Sequence, residues 1–358
     1  MKTEAIQQLF KKFEKEKMFS GVALIEKDGK EVFSYCCGEA HKGFKIKNTM
    51  NTRFDTASVT KLFTAVSVLQ LIEQKKLKFG DKIFELLSLN SYGKNIKISK
   101  DITIYQLLTH TSGMADDANE ELGEDYDLLW KDNPNYSVRE NEDFLPNFIY
   151  KEPFFNPGEK CGYNNCAYIL LGLVIEKLTD KSYRDYVKEN VFDKADMKSS
   201  CFCTMDEINE NVAEGYFSEY SDDGKFLKFK KNIYSYPPIG TADSGAYTTC
   251  QDMIKFMKSL LNCKLLEKEM VSEILKSKAV HTDKIDRKYM MGYGFEFEMF
   301  PKSSNIMYIT KDGCNKGVAV KFNYYPKENV IYIVMANQDC DIWELSREVS
   351  KIIMKKEK

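Results

Sequence analysis

The 358-residue sequence has three histidines and two tryptophans, and its histidines show no paired spacing. A zinc site needs several convergent nitrogen or sulfur ligands, so so few histidines argue against metal-dependent hydrolysis and for cofactor-free chemistry. Charge of one sign is missing too: 52 basic against 54 acidic side chains leave a formal charge of −2. Nothing in that balance draws the whole molecule to nucleic acid or to an anionic membrane. No apolar run approaches the roughly 20 residues that cross a bilayer; the strongest, 168–175, is followed by charge. The first 17 residues carry Ile6, Leu9, Phe10 and Phe13 at helical spacing and no apolar leader core, so the expected compartment is the cytosol. There the ten cysteines are expected as reduced thiols. Repeats, low-complexity tracts and flexible linkers are absent, as are a Gly-x-Ser-x-Gly elbow and a glycine-rich phosphate loop with lysine.

What is present is a core-forming composition, 43% hydrophobic, in a chain long enough to bury it. After the first helix, 21–27 and 30–37 read as strands around Asp28-Gly29, a pair suited to the positive φ angles of a tight hairpin. Residues 58–76 turn helical and apolar, and Thr103 with Gln106 fits a capping box opening a short helix that ends toward Gly113. Further helices are expected over 165–179, 182–191 and 251–261. Segments 293–299, 306–311, 318–325 and 330–336 read as an antiparallel meander, closed by a helix over 342–354. The expected class is α/β (α+β): an antiparallel sheet flanked by terminal helices, with a mainly helical inserted domain. Residues 1–55 and 235–358 are expected to form the sheet domain and 56–234 the insertion, with the active site between them.

Serine attacks carbonyl carbons poorly until a base takes its proton, and a lysine three residues along a helix shares its face. Ser58-Val-Thr-Lys61 has that spacing at the start of a strong helix; Ser91-Tyr-Gly-Lys94 repeats it in a polar, glycine-containing stretch. Two more segments stand apart: Tyr163-Asn-Asn165 ahead of an apolar helix, and Lys311-Asp-Gly313 at the end of a strand. Taken singly, each also fits a bland role: a capping serine, a core tyrosine, a solvated turn. Leu107-Leu-Thr-His-Thr-Ser-Gly113 and Pro157-Gly-Glu-Lys160 lie between them.

In order and spacing these segments resemble the penicillin-recognising serine hydrolases, which include β-lactamases, D-alanyl-D-alanine peptidases and related esterases. The tyrosine of the second segment makes the class C branch the nearer likeness. The resemblance implies a β-lactamase/transpeptidase-like fold and the following roles. Ser58 attacks the acyl carbon, Lys61 and Tyr163 share general-base and general-acid work, and Asn165 positions the substrate amide. Lys311 adds positive potential and, with Gly313, faces the site from its strand, while the amides of Ser58 and Cys314 form the oxyanion hole. Both free lysine and free tyrosine titrate near 10, so nearby cations or burial must tune them. Asp312 departs from the family pattern; strand alternation would turn it away from Lys311 and Gly313, whereas a distorted strand would let it neutralise Lys311 and weaken anion recognition. His110 is expected to be structural, and so is the turn 240–246, with Ser244 read as an ordinary turn serine and, as the alternative, as a residue lining the pocket.

The implied substrate is a small ester, amide or peptide. Between positions 116 and 143 lie eleven acidic residues against Lys131 and Arg139, together with Tyr126, Trp130 and Tyr136. The plainer expectation for this segment is a solvated loop with no contact to substrate; the alternative is a wall that biases the pocket against anionic substrates and toward neutral or cationic esters or amides. The competing expectation is a catalytically silent relative that binds a ligand or partner through the same pocket.

Overall fold

The computed structural model describes residues 2–16, 18–118, 123–124, 126–131, 133–301 and 303–355. Helix α1 (Thr3–Glu16) turns Ile6, Phe10 and Phe13 inward. Strands β1 (Gly21–Lys27) and β2 (Lys30–Cys37) meet at Asp28 and Gly29, both with positive φ. A minor hairpin, β3 (Glu39–His41) with β4 (Ile46–Lys47), precedes β5 (Phe54–Asp55) and α2 (Lys61–Glu73). The middle is helical: α3 (Ile83–Leu86), α4 (Ile104–Leu108), α5 (Cys166–Thr179) and α6 (Tyr183–Val187). The Thr103–Gln106 capping box is formed in full at the start of α4.

A second hairpin, β6 (Tyr216–Tyr220) with β7 (Phe226–Lys231), is followed by β8 (Tyr247–Thr248), which pairs with β5. Helices α7 (Cys250–Leu261) and α8 (Lys268–Ile274) lead to β9 (Ala279–Asp283), β10 (Lys288–Met291), β11 (Glu296–Met299), β12 (Ile306–Asn315), β13 (Val318–Tyr325) and β14 (Val330–Ala336). Helix α9 (Ile342–Ile353) comes last among the described elements.

Among the described residues the large sheet has eight strands in the order β2-β1-β14-β13-β12-β11-β10-β9, every pair antiparallel. One face is covered by α1 and α9, where Phe10 and Phe13 meet Ile25, Tyr332, Val334, Leu345 and Val349. The other is covered by the helical middle, with Leu24, Ile333 and Met335 packed into a core shared with α2, α5 and α7. The terminal helices thus lie side by side on one face and do not sandwich the sheet. Strands β13 and β14 are buried along their whole length, which explains their unbroken apolar runs.

Boundaries differ from the sequence expectation where local chemistry intervenes. Strand β11 starts at Glu296, not 293, because Gly294 sits at φ +76. Strand β12 runs on to Asn315, since Gly313 and Cys314 stay in the ladder opposite Val320 and Ala319. The hairpins β6–β7 and β9–β10 were not expected. One cysteine expectation is corrected: Cys201 and Cys203 form a disulfide, and the other eight are free thiols.

Candidate active site

The site begins with a strained turn. Between β5 and α2 the chain passes through Ala57 at φ +43, a conformation that costs a non-glycine residue energy and needs outside support. Buried oxygens supply it. Asp55 Oδ1 accepts the Ala57 amide at 2.7 Å, and Thr56 donates both its amide and its hydroxyl to the Ala246 carbonyl, at 2.8 and 2.7 Å. The Ala246 amide donates in return to Thr60 Oγ1 at 3.0 Å. Ser58 follows in a single 3-10 turn (Ala57–Thr60) that feeds α2.

Lys61 opens α2 and is fully buried. Its ammonium donates to Ser58 Oγ at 3.1 Å, to Asn165 Oδ1 at 2.7 Å and to the Asp243 carbonyl at 2.9 Å. From the opposite side Tyr163 OH donates to Ser58 Oγ at 2.7 Å. Tyr163 and Asn165 precede α5, whose N-terminus is capped from outside: the Asp116 carboxylate accepts the Asn165 amide at 2.9 Å and the Cys166 amide at 2.9 Å. A buried carboxylate at a helix N-terminus satisfies otherwise orphaned donors. It also frees the Asn165 side chain to reach Lys61 and to donate to Tyr126 OH at 2.6 Å.

His110 stacks on Tyr163 with ring centroids 4.7 Å apart and accepts the Asn164 amide on Nδ1 at 3.2 Å. Burial first, then the Lys311 and Lys61 ammonium groups, hold its pKa well below the usual histidine value. It is therefore a neutral ring that packs against Tyr163, in keeping with the structural role expected of it.

On the sheet side, Lys311 is buried and its ammonium lies 4.7 Å over the Tyr163 ring. Glu296 Oε1 accepts from it at 2.5 Å, and the Tyr289 hydroxyl donates to the other Glu296 oxygen. Asp312 faces the opposite way, as strand alternation requires, accepting from Lys321 at 2.5 Å and from Trp343 Nε1 at 2.8 Å. Gly313 crosses directly over the turn: a Cβ there would stand 2.2 Å from the Thr56 carbonyl oxygen.

Beside Ser58 opens a cavity of about 360 Å³. Asn165, Ser244, Cys314 and Asn315 line it along with the serine; Tyr126, Trp130, Phe144 and Tyr236 supply aromatic wall. Asp117, Glu124, Asp127 and Asp243 also face it, with Lys316 ion-paired to Asp127. The acidic segment therefore contributes to the wall, while Tyr136 is exposed outside that lining. Its residues Glu120, Glu121, Asp125 and Asp132 lie outside the described residues.

Among the described residues one group has ligand-type donor atoms close together: those of Asp116, Asp117 and Cys166 lie within 4.8 Å of one another. It fits a metal poorly. Asp116 is engaged as a helix cap, and burial together with Asp117 and Asp116 raises the Cys166 thiol well above its ordinary pKa, which keeps it protonated.

Ser58, Lys61, Tyr163 and Asn165 thus form one hydrogen-bonded cluster, with Lys311 beside Tyr163, Gly313 against the turn and Cys314 in the cavity wall. Sequence reasoning missed Glu296, the Asp243 carbonyl and the Asp116 cap, none of which carries a local motif.

Comparison with known proteins matches residues 6–346 to the Beta-lactamase family. Penicillin-binding protein 4* of Bacillus subtilis (strain 168) is 23% identical over 348 residues, 95% of this chain and 73% of that protein. The crystal structure of a penicillin binding protein from Bacillus halodurans superposes with a TM-score of 0.87 at 33% identity, covering 97% of this chain and 99% of that one. A D-stereospecific amidohydrolase from Streptomyces sp. shares the fold at a TM-score of 0.78 and 20% identity, over 97% of this chain and 98% of that one. Among the described residues no helix is long and apolar enough to cross a membrane. A match along nearly the whole sequence, joined to a shared fold at one-third identity, places this chain in the Beta-lactamase family.

Proposed function

We propose that the protein is a serine hydrolase that works through an acyl-enzyme on small esters or amides. The observation that carries this reading is Ser58 Oγ, at the cavity, held at 2.7 Å from Tyr163 OH and 3.1 Å from Lys61 Nζ. Once the Lys61–Tyr163 pair has lost one proton, it can accept the Ser58 proton as Oγ bonds to the acyl carbon. The amides of Ser58 and Cys314 then hold the carbonyl oxygen, the pair returns the proton to the leaving group, and water repeats the sequence to release the acid.

The cavity supports a substrate with an aromatic or apolar body and neutral or positive charge. Among the described residues its lining carries four carboxylates and the Lys316 ammonium, with Lys61 behind Ser58, and a low-dielectric cleft focuses the resulting field. Exposure to an activated neutral ester, followed by intact-mass measurement, tests the reading. The acyl mass is expected on the native protein and not on Ser58→Ala. Failure to find a serine-dependent adduct across a panel of activated esters and a penicillin would leave a ligand-binding role in its place.

A further inference from the structure

The family likeness gives Lys311 the role of supplying positive potential to the substrate, yet its ammonium is differently engaged here. It is buried, Glu296 Oε1 lies 2.5 Å away, and Tyr289 holds the second Glu296 oxygen. Glu296 is itself buried at the start of β11, opposite Thr310, and so one residue from Lys311 along the neighbouring strand. Seen from the cavity, an ammonium and a carboxylate in contact amount to a short dipole, whose field falls faster with distance than that of a lone charge. Meanwhile the ammonium still faces the Tyr163 ring. Among the described residues of the cavity lining, carboxylates outnumber ammonium groups, and Lys311 stands behind that lining together with Lys61 and Tyr163.

We propose that Glu296 determines specificity: by holding Lys311 it converts a receptor for a substrate carboxylate into a fixed charge serving Tyr163, so the preferred substrates carry no carboxylate near the scissile carbonyl. This rests on the acyl-transfer reading above. Tyr289 acts through Glu296 as a positioning residue, and Glu296 acts through Lys311.

The test uses two nitrophenyl esters that differ only in a carboxylate or a carboxamide on the acyl chain. The native protein is expected to favour the carboxamide ester in kcat/KM by roughly tenfold, the factor a unit charge brings at such distances. Glu296→Gln leaves Lys311 uncompensated, so that preference is expected to shrink by roughly tenfold. The pH profile for the carboxamide ester is expected to move about one unit toward acid, because an unopposed cation beside Tyr163 favours its ionised form. Tyr289→Phe, which keeps the Lys311–Glu296 contact, is expected to shift both readouts the same way by less, and serves if Glu296→Gln does not fold. A native preference for the carboxylate ester overturns the inference, as does a folded variant in which ratio and profile both stay put. In that event a Ser58-linked acyl mass from the carboxamide ester shows that acyl transfer still stands; without that mass, both readings fall.

Discussion

Two segments from opposite parts of the chain meet at Ser58, and they are held in place by different means. The turn before α2 depends on side chains: Asp55, Thr56 and Thr60 hold a residue that the backbone alone would not keep at φ +43. Strand β12 depends on its ladder, paired with β13 without a register break from Ile309 to Asn315. A turn braced by side-chain oxygens has single points of failure. A ladder spreads its support over many backbone bonds and tolerates substitution wherever the side chain points away from the turn.

The sharpest way to break this contrast is at the contact itself. Gly313→Ala places a Cβ where the Thr56 carbonyl stands. Backbone must move, so esterase kcat is expected to fall by roughly 100-fold or more, as misplacement of about 1 Å can do, and initial-rate assays on soluble variant read it.

Asp55 gives the next largest effect, through pH. Burial raises its pKa from 3.8 to about 6, partly opposed by the Ala57 amide and the Tyr236 hydroxyl, with Asp243 adding repulsion. Because the folded value lies above the unfolded one, the favourable contribution is complete below pH 3.8 and is lost as pH rises through about 6. Asp55→Asn keeps an oxygen for the Ala57 amide and removes this loss. Urea unfolding is expected to show the variant gaining on the native protein between pH 4 and 8, by an amount on the order of 3 kcal/mol; parallel stabilities across that range would refute the reading.

Thr56→Val tests the brace by shape-conserving deletion. It leaves the buried Ala246 carbonyl with only the Thr56 amide as the donor described above, and about 1–2 kcal/mol of stability is expected to go with the hydroxyl, measurable as a lower urea midpoint. The smallest effect belongs to the strand. Asp312→Asn weakens the contact with Lys321 and is expected to cost about 1 kcal/mol while kcat/KM stays within twofold, since Asp312 faces Trp343 and not Ser58. An activity loss there would show that the ladder shares the fragility of the turn.

How far the sequence foretold this site follows from the range of each interaction. Ser58 and Lys61 are legible because helix periodicity fixes residues three apart. Tyr163 and Lys311 became legible only through resemblance, since no local rule brings them to the serine. Alternation along β12 offered the outward placement of Asp312, against the alternative of a distorted strand, and the contacts with Lys321 and Trp343 decide between them. Glu296 was not legible, because its meeting with Lys311 depends on the pairing of β11 with β12, and strand register between short segments leaves little trace in composition. The missed strands have a similar cause: β7 is largely exposed, and β9 has no clean apolar alternation. Tyr163's neighbour His110 shows the limit of motif reading, which located the turn but not the stacked rings.

The place of β1 in the large sheet has a consequence for how the protein is made. Gly21 pairs with Ala336 and Lys27 with Val330, so β1 must wait until the whole stretch from β2 to β14 has been synthesised before its central partner exists. In the interval β1 has only its β2 hairpin, which is marginal in water, and its apolar face is open to chance encounters. Vectorial synthesis should therefore make this protein dependent on temperature and on holding factors while it is nascent, and far less so when the intact chain refolds from denaturant.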